Sequence, residues 1–125
     1  MGRILIIDDE PILRHSTRLL LEPFGHEVLE GSNGLSGVHL AQEQHPDVIV
    51  LDLMMPMMNG HEVLQILSDD PDTSEIPVVI LTAVTSPEVH RVCIEEGAVQ
   101  VFTKPFDPEA FAESLGELIA ARATA

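Results

Sequence analysis

The chain has 125 residues, of which 45% are hydrophobic, so its size suits one compact domain and its composition does not suit a disordered segment. Six basic and 21 acidic side chains give a net charge of −15, and the chain has no Trp, no Tyr and four Phe. This charge repels nucleic-acid phosphates and anionic membranes, and few rings are left to stack on bases, so we expect no direct nucleic-acid or membrane binding. Because it has neither a secretory signal nor an apolar run of about 18 residues, we expect a cytoplasmic protein.

Five short apolar runs rich in β-branched residues predict β-strands, at 3–7, 26–30, 47–51, 77–81 and 99–102. The third and fourth, DVIVL and PVVIL, are apolar almost throughout, which is typical of strands covered on both faces of a parallel sheet. The second, HEVLE, is more polar, which favours a position at the edge of the sheet.

Helical patterns separate these runs, and several carry start signals. Pro11 stands where a first helical residue would, Asn59 followed by Glu62 resembles a capping box, and Ser86 and Asp107 each precede a proline and an acid. The last helix has the clearest apolar stripe, formed by Phe111, Leu115, Leu118 and Ile119.

Strand alternates with helix five times, which predicts an α/β fold: a (βα)5 three-layer sandwich with a five-stranded parallel sheet between two helical layers. We expect one domain over residues 1–125, of which 119–125 fray or begin a linker. Cys93 lies in a short helical stripe before Gly97, a natural helix stop, and is predicted to be a small buried residue rather than a reactive thiol.

Four of the five predicted strands lead into polar or charged side chains, which are Asp8, Asp9, Asp52, Thr82 and Lys104. Each alone has an ordinary explanation as a helix cap, a loop acid, a strand former or a surface lysine. In open parallel sheets, however, binding sites form at the carboxyl ends of the strands, so these side chains are expected to meet. Three neighbouring carboxylates oppose one another's ionisation, which favours a bound Mg²⁺ with oxygen ligands. Together with the lysine, that ion brings the charge to about zero, so the site could accept a phosphoryl group.

Four segments resemble the receiver domain of two-component response regulators (the CheY-like superfamily) in order and spacing: LIIDDEP, PDVIVLDLMMPMMNG, IPVVILTA and VFTKPFDP. The resemblance covers essentially the whole chain. It implies a flavodoxin-like fold with strand order 2-1-3-4-5. It also implies a phosphorylatable signalling switch that is not an enzyme beyond its own phosphotransfer and autodephosphorylation.

The resemblance assigns the site residue by residue. Asp52 is the expected phosphoacceptor, which takes a phosphoryl group from a sensor histidine kinase or a histidine phosphotransfer protein. Asp9, Asp52 and the main-chain carbonyl of Met54 would bind Mg²⁺, and Asp8 would act through a bound water. Lys104 would contact a phosphoryl oxygen.

Thr82 would also contact the phosphoryl group and would move towards it to start the switch. A cis bond before Pro105 would fix the loop that carries the lysine. Switch or structural roles fall on Ala83, Val101 and Pro105. The signal would pass to a downstream protein or output domain through the face formed by the fourth helix, fifth strand and fifth helix, and two phosphorylated copies could pair.

Three positions depart from the family's pattern. Val101 stands where the family has its switch aromatic, and alternation along the strand places Phe102 on the opposite face. Met54 and Val84, at the positions that influence how water reaches the acyl phosphate, cannot orient a water molecule. The resemblance therefore predicts slow autodephosphorylation.

Three alternatives follow from other chemistry. A phosphatase of the haloacid-dehalogenase type needs a second Asp where Met54 stands, and a flavodoxin-like cofactor binder needs a phosphate loop where the acids follow the first strand. The third is a receiver fold that serves as a docking or dimerisation module without phosphorylation.

Two residue types need separate interpretations. The six histidines are scattered, without an i, i+4 pair, and are predicted to be solvated rather than to bind metal: His15, His26, His39, His45, His61 and His90. Four methionines in one loop, Met54, Met55, Met57 and Met58, indicate either packing beside the site or an apolar docking patch.

Overall fold

The computed structural model describes residues 2–123. They form one parallel sheet in the order β2-β1-β3-β4-β5, with the polar HEVLE strand at one edge, as predicted. Each strand lies within one residue of its predicted bounds: β1 (Arg3–Ile7), β2 (Glu27–Gly31), β3 (Val48–Leu51), β4 (Val78–Thr82) and β5 (Gln100–Thr103). The flavodoxin-like fold is therefore confirmed.

Five helices connect the strands: α1 (Pro11–Leu21), α2 (Gly34–Gln44), α3 (Gly60–Asp69), α4 (Pro87–Glu95) and α5 (Pro108–Ala123). A short 3₁₀ turn (Glu22–Phe24), which the sequence patterns do not indicate, follows α1. Helix α5 takes in the first part of the segment predicted to fray, and residues 124 and 125 lie outside the described residues.

The predicted helix starts are largely those observed. The Asn59 side chain accepts a hydrogen bond from the Glu62 main-chain N–H, and the Glu62 carboxylate accepts one from the Asn59 N–H. The Ser86 hydroxyl oxygen accepts a hydrogen bond from the main chain at the start of α4. Sequence reasoning missed the capping box that begins α2, where Asn33 and Ser36 bond reciprocally.

Alternate strand residues build two apolar layers, one on each face of the sheet. Helices α2, α3 and α4 cover the layer that contains Leu5 and Ile49. Helices α1 and α5 cover the other, which contains Ile4 and the fully buried Phe111 and Leu115 of the predicted α5 stripe. This arrangement buries the strands on both faces, so polar side chains collect at the carboxyl ends of the strands.

Candidate phosphoryl and metal site

Two acids extend the hydrogen-bonding pattern of the sheet by one residue. The Asp8 N–H donates to the Gly31 carbonyl at 3.1 Å, and the Asp52 N–H donates to the Ile7 carbonyl at 3.0 Å. The side chains of Asp8 and Asp52 are both nearly buried, and Asp9 beside them is partly exposed. One carboxylate oxygen from each of the three lies within 4.8 Å of the others. The acids that the sequence placed at two strand ends therefore form one cluster.

Asp8 is held from both sides. Its carboxylate accepts a hydrogen bond from the Glu10 N–H at 3.0 Å, and its carbonyl accepts one from Nη1 of Arg14 at 2.8 Å. The Nε of Arg14 in turn pairs with Glu30 of β2 at 2.9 Å. Sequence reasoning missed this support, because nothing local indicates that a helix α1 arginine meets an edge-strand glutamate.

Lys104 completes the cluster from the far side of β4. Its Nζ lies 3.9 Å from Oδ2 of Asp8 and 4.0 Å from Oδ2 of Asp52. Its main-chain N–H donates to the Thr82 carbonyl at 2.7 Å, and its bond to Pro105 is cis, as the resemblance implies. The single lysine of the chain thus reaches the carboxylates without a close ion pair to either.

The charge of the cluster is only partly compensated. Burial and, more weakly, the charges of Asp8 and Asp9 raise the pKa of Asp52 to about 6, although the Met54 N–H and Lys104 act in the opposite direction. An ionised Asp52 is therefore costly in this setting. A bound divalent cation would remove that cost, and an all-oxygen donor set fits a hard ion such as Mg²⁺.

Thr82 ends β4 with its side chain fully buried. Its hydroxyl oxygen accepts a hydrogen bond from the Val84 N–H at 3.1 Å, which folds the loop back over the strand end. Ala83 between them is exposed. Any movement of the Thr82 hydroxyl therefore changes a hydrogen bond of the loop that leads into α4.

The methionine loop packs beside the site, as predicted, with only part of its side chains. Met55 is buried and Met58 packs against the core, whereas the Met54 side chain is 65% exposed and that of Met57 is fully exposed. The Met54 N–H donates to Oδ1 of Asp52 at 3.2 Å. The loop therefore packs beside the acids and presents two apolar side chains to solvent.

The departure at Val101 and the neighbouring Phe102 lie on the faces of β5 that alternation predicts. Val101 packs against the layer covered by α2, α3 and α4, and Phe102 packs against the opposite layer, edge to face with Phe111 at 5.3 Å. Phe102 is therefore not placed to substitute for an aromatic side chain at position 101.

Three of the six histidines are only partly exposed, although solvated side chains are predicted for all six. The His61 ring lies 2.5 Å from Glu96, the His90 ring lies 2.6 Å from the Val84 carbonyl, and Nδ1 of His26 is buried. The His61 and His90 contacts join residues that are distant in sequence or lie across a loop, so helical spacing could not reveal them.

Comparison with known proteins decides the family. Residues 4–116 match the family described as the response regulator receiver domain. The chain belongs to that family. Receiver domains are signalling proteins of two-component systems rather than classical enzymes. They bind Mg²⁺ at an acidic pocket and interact with histidine kinases and downstream output domains.

Individual relatives show the same domain in different settings. Over 121 residues the chain is 39% identical to protein PilH of Pseudomonas aeruginosa, and the match covers 96% of this chain and 99% of PilH. It is 41% identical to the DNA-binding regulator RpaA of Synechocystis, but the match takes in 87% of this chain and only 45% of RpaA. The receiver domain of the Francisella response regulator 1452 superposes with a TM-score of 0.91 at 26% identity, covering 98% of this chain and 99% of that one.

Within residues 2–123, every helix is too short or too polar to span a bilayer.

Proposed function

We propose that this receiver domain is a phosphorylatable switch whose acceptor is Asp52. The carboxylate oxygen attacks the phosphorus of a phosphohistidine on a sensor histidine kinase or a histidine phosphotransfer protein. The P–N bond breaks, the histidine leaves, and an acyl phosphate remains on Asp52. The observation that carries the proposal is the convergence of three carboxylates within 4.8 Å, with Lys104 about 4 Å from two of them.

The residues that would bind Mg²⁺ are Asp9, Asp52 and the main-chain carbonyl of Met54, with Asp8 acting through a water molecule. Their oxygen-only chemistry fits this ion better than a softer one. When bound, Mg²⁺ neutralises charge on the transferring phosphoryl group and aligns it. The buried Asp8 keeps its orientation through its contacts with Glu10 and Arg14.

Lys104 and Thr82 would stabilise the new acyl phosphate, and Thr82 would also couple it to the conformation of the neighbouring loop. The lysine ammonium would contact a phosphoryl oxygen, and the Thr82 hydroxyl would leave the Val84 N–H to donate to another. The loop that loses this bond leads directly into α4. The output surface is then the α4-β5-α5 face, beside which the apolar side chains of Ile94 and Val99 are exposed. A downstream protein or output domain, or a second phosphorylated copy, would bind there.

Phosphorylation by a small phosphodonor tests the proposal. With acetyl phosphate and Mg²⁺, intact mass should rise by one phosphoryl group, and hydroxylamine should remove it. The gain should vanish without Mg²⁺ and in Asp52→Ala, and it should persist in Asp69→Ala, which changes an exposed acid at the end of α3. No gain under any condition would contradict the proposal and favour the docking or dimerisation module that acts without phosphorylation.

The Lys104→Ala variant is expected to separate metal binding from switching. Mg²⁺ affinity should change little, because the lysine is not a ligand, whereas the conformational response to phosphorylation should fall strongly. Mg²⁺ titration and amide hydrogen exchange of the β4–α4 loop, before and after phosphorylation, measure the two effects. A variant whose loop responds like the wild type would contradict the role assigned to Lys104.

Autodephosphorylation is expected to be slow, because neither Met54 nor Val84 can orient an attacking water. Met54→Asn should shorten the phosphoryl half-life by about tenfold, because an amide can hydrogen-bond the attacking water and hold it in line with the phosphorus. Met57→Asn is the matched control, because it makes the same change at a fully exposed side chain of the same loop. A wild-type half-life of seconds, or equal effects of the two variants, would contradict this explanation.

A further inference from the structure

A second cluster of potential metal ligands lies away from the acidic site. One ring nitrogen of His61, Sγ of Cys93 and a carboxylate oxygen of Glu96 lie within 4.8 Å of one another. His61 is in the first turn of α3, Cys93 is in the last turn of α4, and Glu96 follows that helix directly. The cluster therefore joins the beginning of one helix to the end of its neighbour.

The main chain holds this cluster in place. The N–H of Glu96 donates to the Val92 carbonyl at 2.9 Å, and its carbonyl accepts a hydrogen bond from the Ser68 hydroxyl of α3 at 3.1 Å. The reciprocal bonds of Asn59 fix the start of α3 two residues before His61. The three side chains are thus presented by well-defined helix ends and not by a loose loop.

The cluster is open to solvent on one side and closed on the other. Cys93 is fully buried in the core beneath α4. The side chains of His61 and Glu96 are 36% and 29% exposed, and Nδ1 of His61 lies 2.5 Å from Oε1 of Glu96. Solvent therefore reaches the imidazole and the carboxylate, and the buried cysteine lies on the core side of the cluster.

We propose that His61, Cys93 and Glu96 bind a transition-metal ion of the Zn²⁺ type. One nitrogen, one sulfur and one oxygen ligand, with a water in the fourth position, match the donors and the coordination number of zinc. A thiolate ligand discriminates against Mg²⁺, which prefers oxygen, so the two clusters would select different ions. The charges also match, because a thiolate and a carboxylate together balance a divalent cation.

Binding requires a defined exchange of protons. As the sulfur–metal bond forms, the Cys93 thiol releases its proton to solvent, while His61 binds through Nδ1 and keeps its proton on Nε2. Burial, with a smaller contribution from the Glu96 charge, raises the pKa of Cys93, so the thiol is neutral and packs as an apolar group until a metal displaces the proton. The ligand atoms of a tetrahedral zinc site lie about 3 to 4 Å apart, so the His61–Glu96 contact would open by roughly 1 Å.

Cobalt(II) titration of the full chain tests the site directly. Saturating Mg²⁺ occupies the acidic site first, so that added Co²⁺ reports the second cluster. One equivalent of Co²⁺ should produce the near-ultraviolet absorption of thiolate-to-cobalt charge transfer, and Zn²⁺ should abolish it. In competition with a chromophoric chelator, His61→Ala should weaken Zn²⁺ binding by at least about tenfold. His39→Ala is the matched control, because His39 pairs with Glu43 at 2.6 Å on α2 without a cysteine partner.

Each result has a defined meaning. Cobalt binding without the thiolate band would overturn the proposal, as would His61→Ala and His39→Ala variants of equal Zn²⁺ affinity. Cys93→Ser should abolish the band. If circular dichroism shows that this core substitution prevents folding, His61→Ala and Glu96→Gln decide the question, because both change partly exposed side chains. A failure of Asp52 to become phosphorylated by acetyl phosphate would leave the result of the cobalt titration unaffected, because the two assays probe different clusters.

Discussion

Replacing Asp52 with Asn is expected to stabilise the metal-free protein by up to about 3 kcal/mol at neutral pH. The pKa of Asp52 is raised from 3.8 to about 6, chiefly by burial, so the folded state bears the cost of a carboxylate that the unfolded chain ionises freely. Asn has nearly the same shape and its amide oxygen can still accept the Met54 N–H. The substitution therefore removes the cost while keeping the packing.

The difference in stability between Asp52→Asn and the wild type is expected to grow as pH rises. Below about pH 4 the carboxyl is protonated in both the folded and the unfolded state, so the wild type and Asp52→Asn should be equally stable. Between about pH 4 and 6 the folded state binds more protons than the unfolded state. As pH rises through this range, the free energy of unfolding of the wild type therefore falls below that of Asp52→Asn. Above pH 6 the full difference should remain.

Urea unfolding followed by circular dichroism, in chelator and across pH 3.5–8, measures the effect without a tryptophan probe. Added Mg²⁺ should stabilise the wild type more than Asp52→Asn, because a ligand stabilises the folded state according to its affinity for that state and the variant lacks one of the proposed carboxylate ligands. Asp69→Asn, at an exposed position, should match the wild type throughout. An Asp52→Asn variant less stable than the wild type at pH 8 would show that the buried charge is already well compensated.

Gly60→Ala is expected to destabilise the fold by about 2 to 3 kcal/mol and to weaken the acidic site at the same time. A Cβ at this position would lie 2.6 Å from Cα of Leu53 and 2.7 Å from the main-chain oxygen of Asp52. Both atoms belong to the backbone that carries Asp52, the proposed phosphoacceptor, so relief of the clash must move that segment. Thermal unfolding and Mg²⁺ titration measure the two effects.

Gly116→Ala is the matched control for this prediction. Gly116 lies within α5, and a Cβ there would meet nothing within 4 Å. The same substitution should therefore stabilise the protein by about 0.5 to 1 kcal/mol, because alanine has the higher helix propensity. If both variants shifted the unfolding temperature in the same direction, close packing at Gly60 would not be the cause.

Much of the architecture was predictable because its signals are local. β-Branched runs bounded by polar residues indicated all five strands to within one residue, and Asn59 and Glu62 indicated the cap that the structure contains. The start of α2 escaped because Asn33 and Ser36 form a capping box with a less typical residue at its second position. The site residues were also accessible, since parallel strands bring their carboxyl ends to one edge whatever the detailed packing.

The sequence by itself determined the fold class, the strand order through the family resemblance, and the set of acids and the single lysine at the sheet edge. Only the tertiary structure decided which distant side chains meet there and elsewhere. The ion pair of Arg14 with Glu30, the close approach of Gly60 to Leu53, and the meeting of His61 with Cys93 and Glu96 have no local signature. The physical reason is that capping and hydrophobic periodicity act between neighbours in sequence, whereas these contacts depend on how helices pack on the sheet. The same packing turns a scattered histidine and a buried cysteine into a candidate metal site.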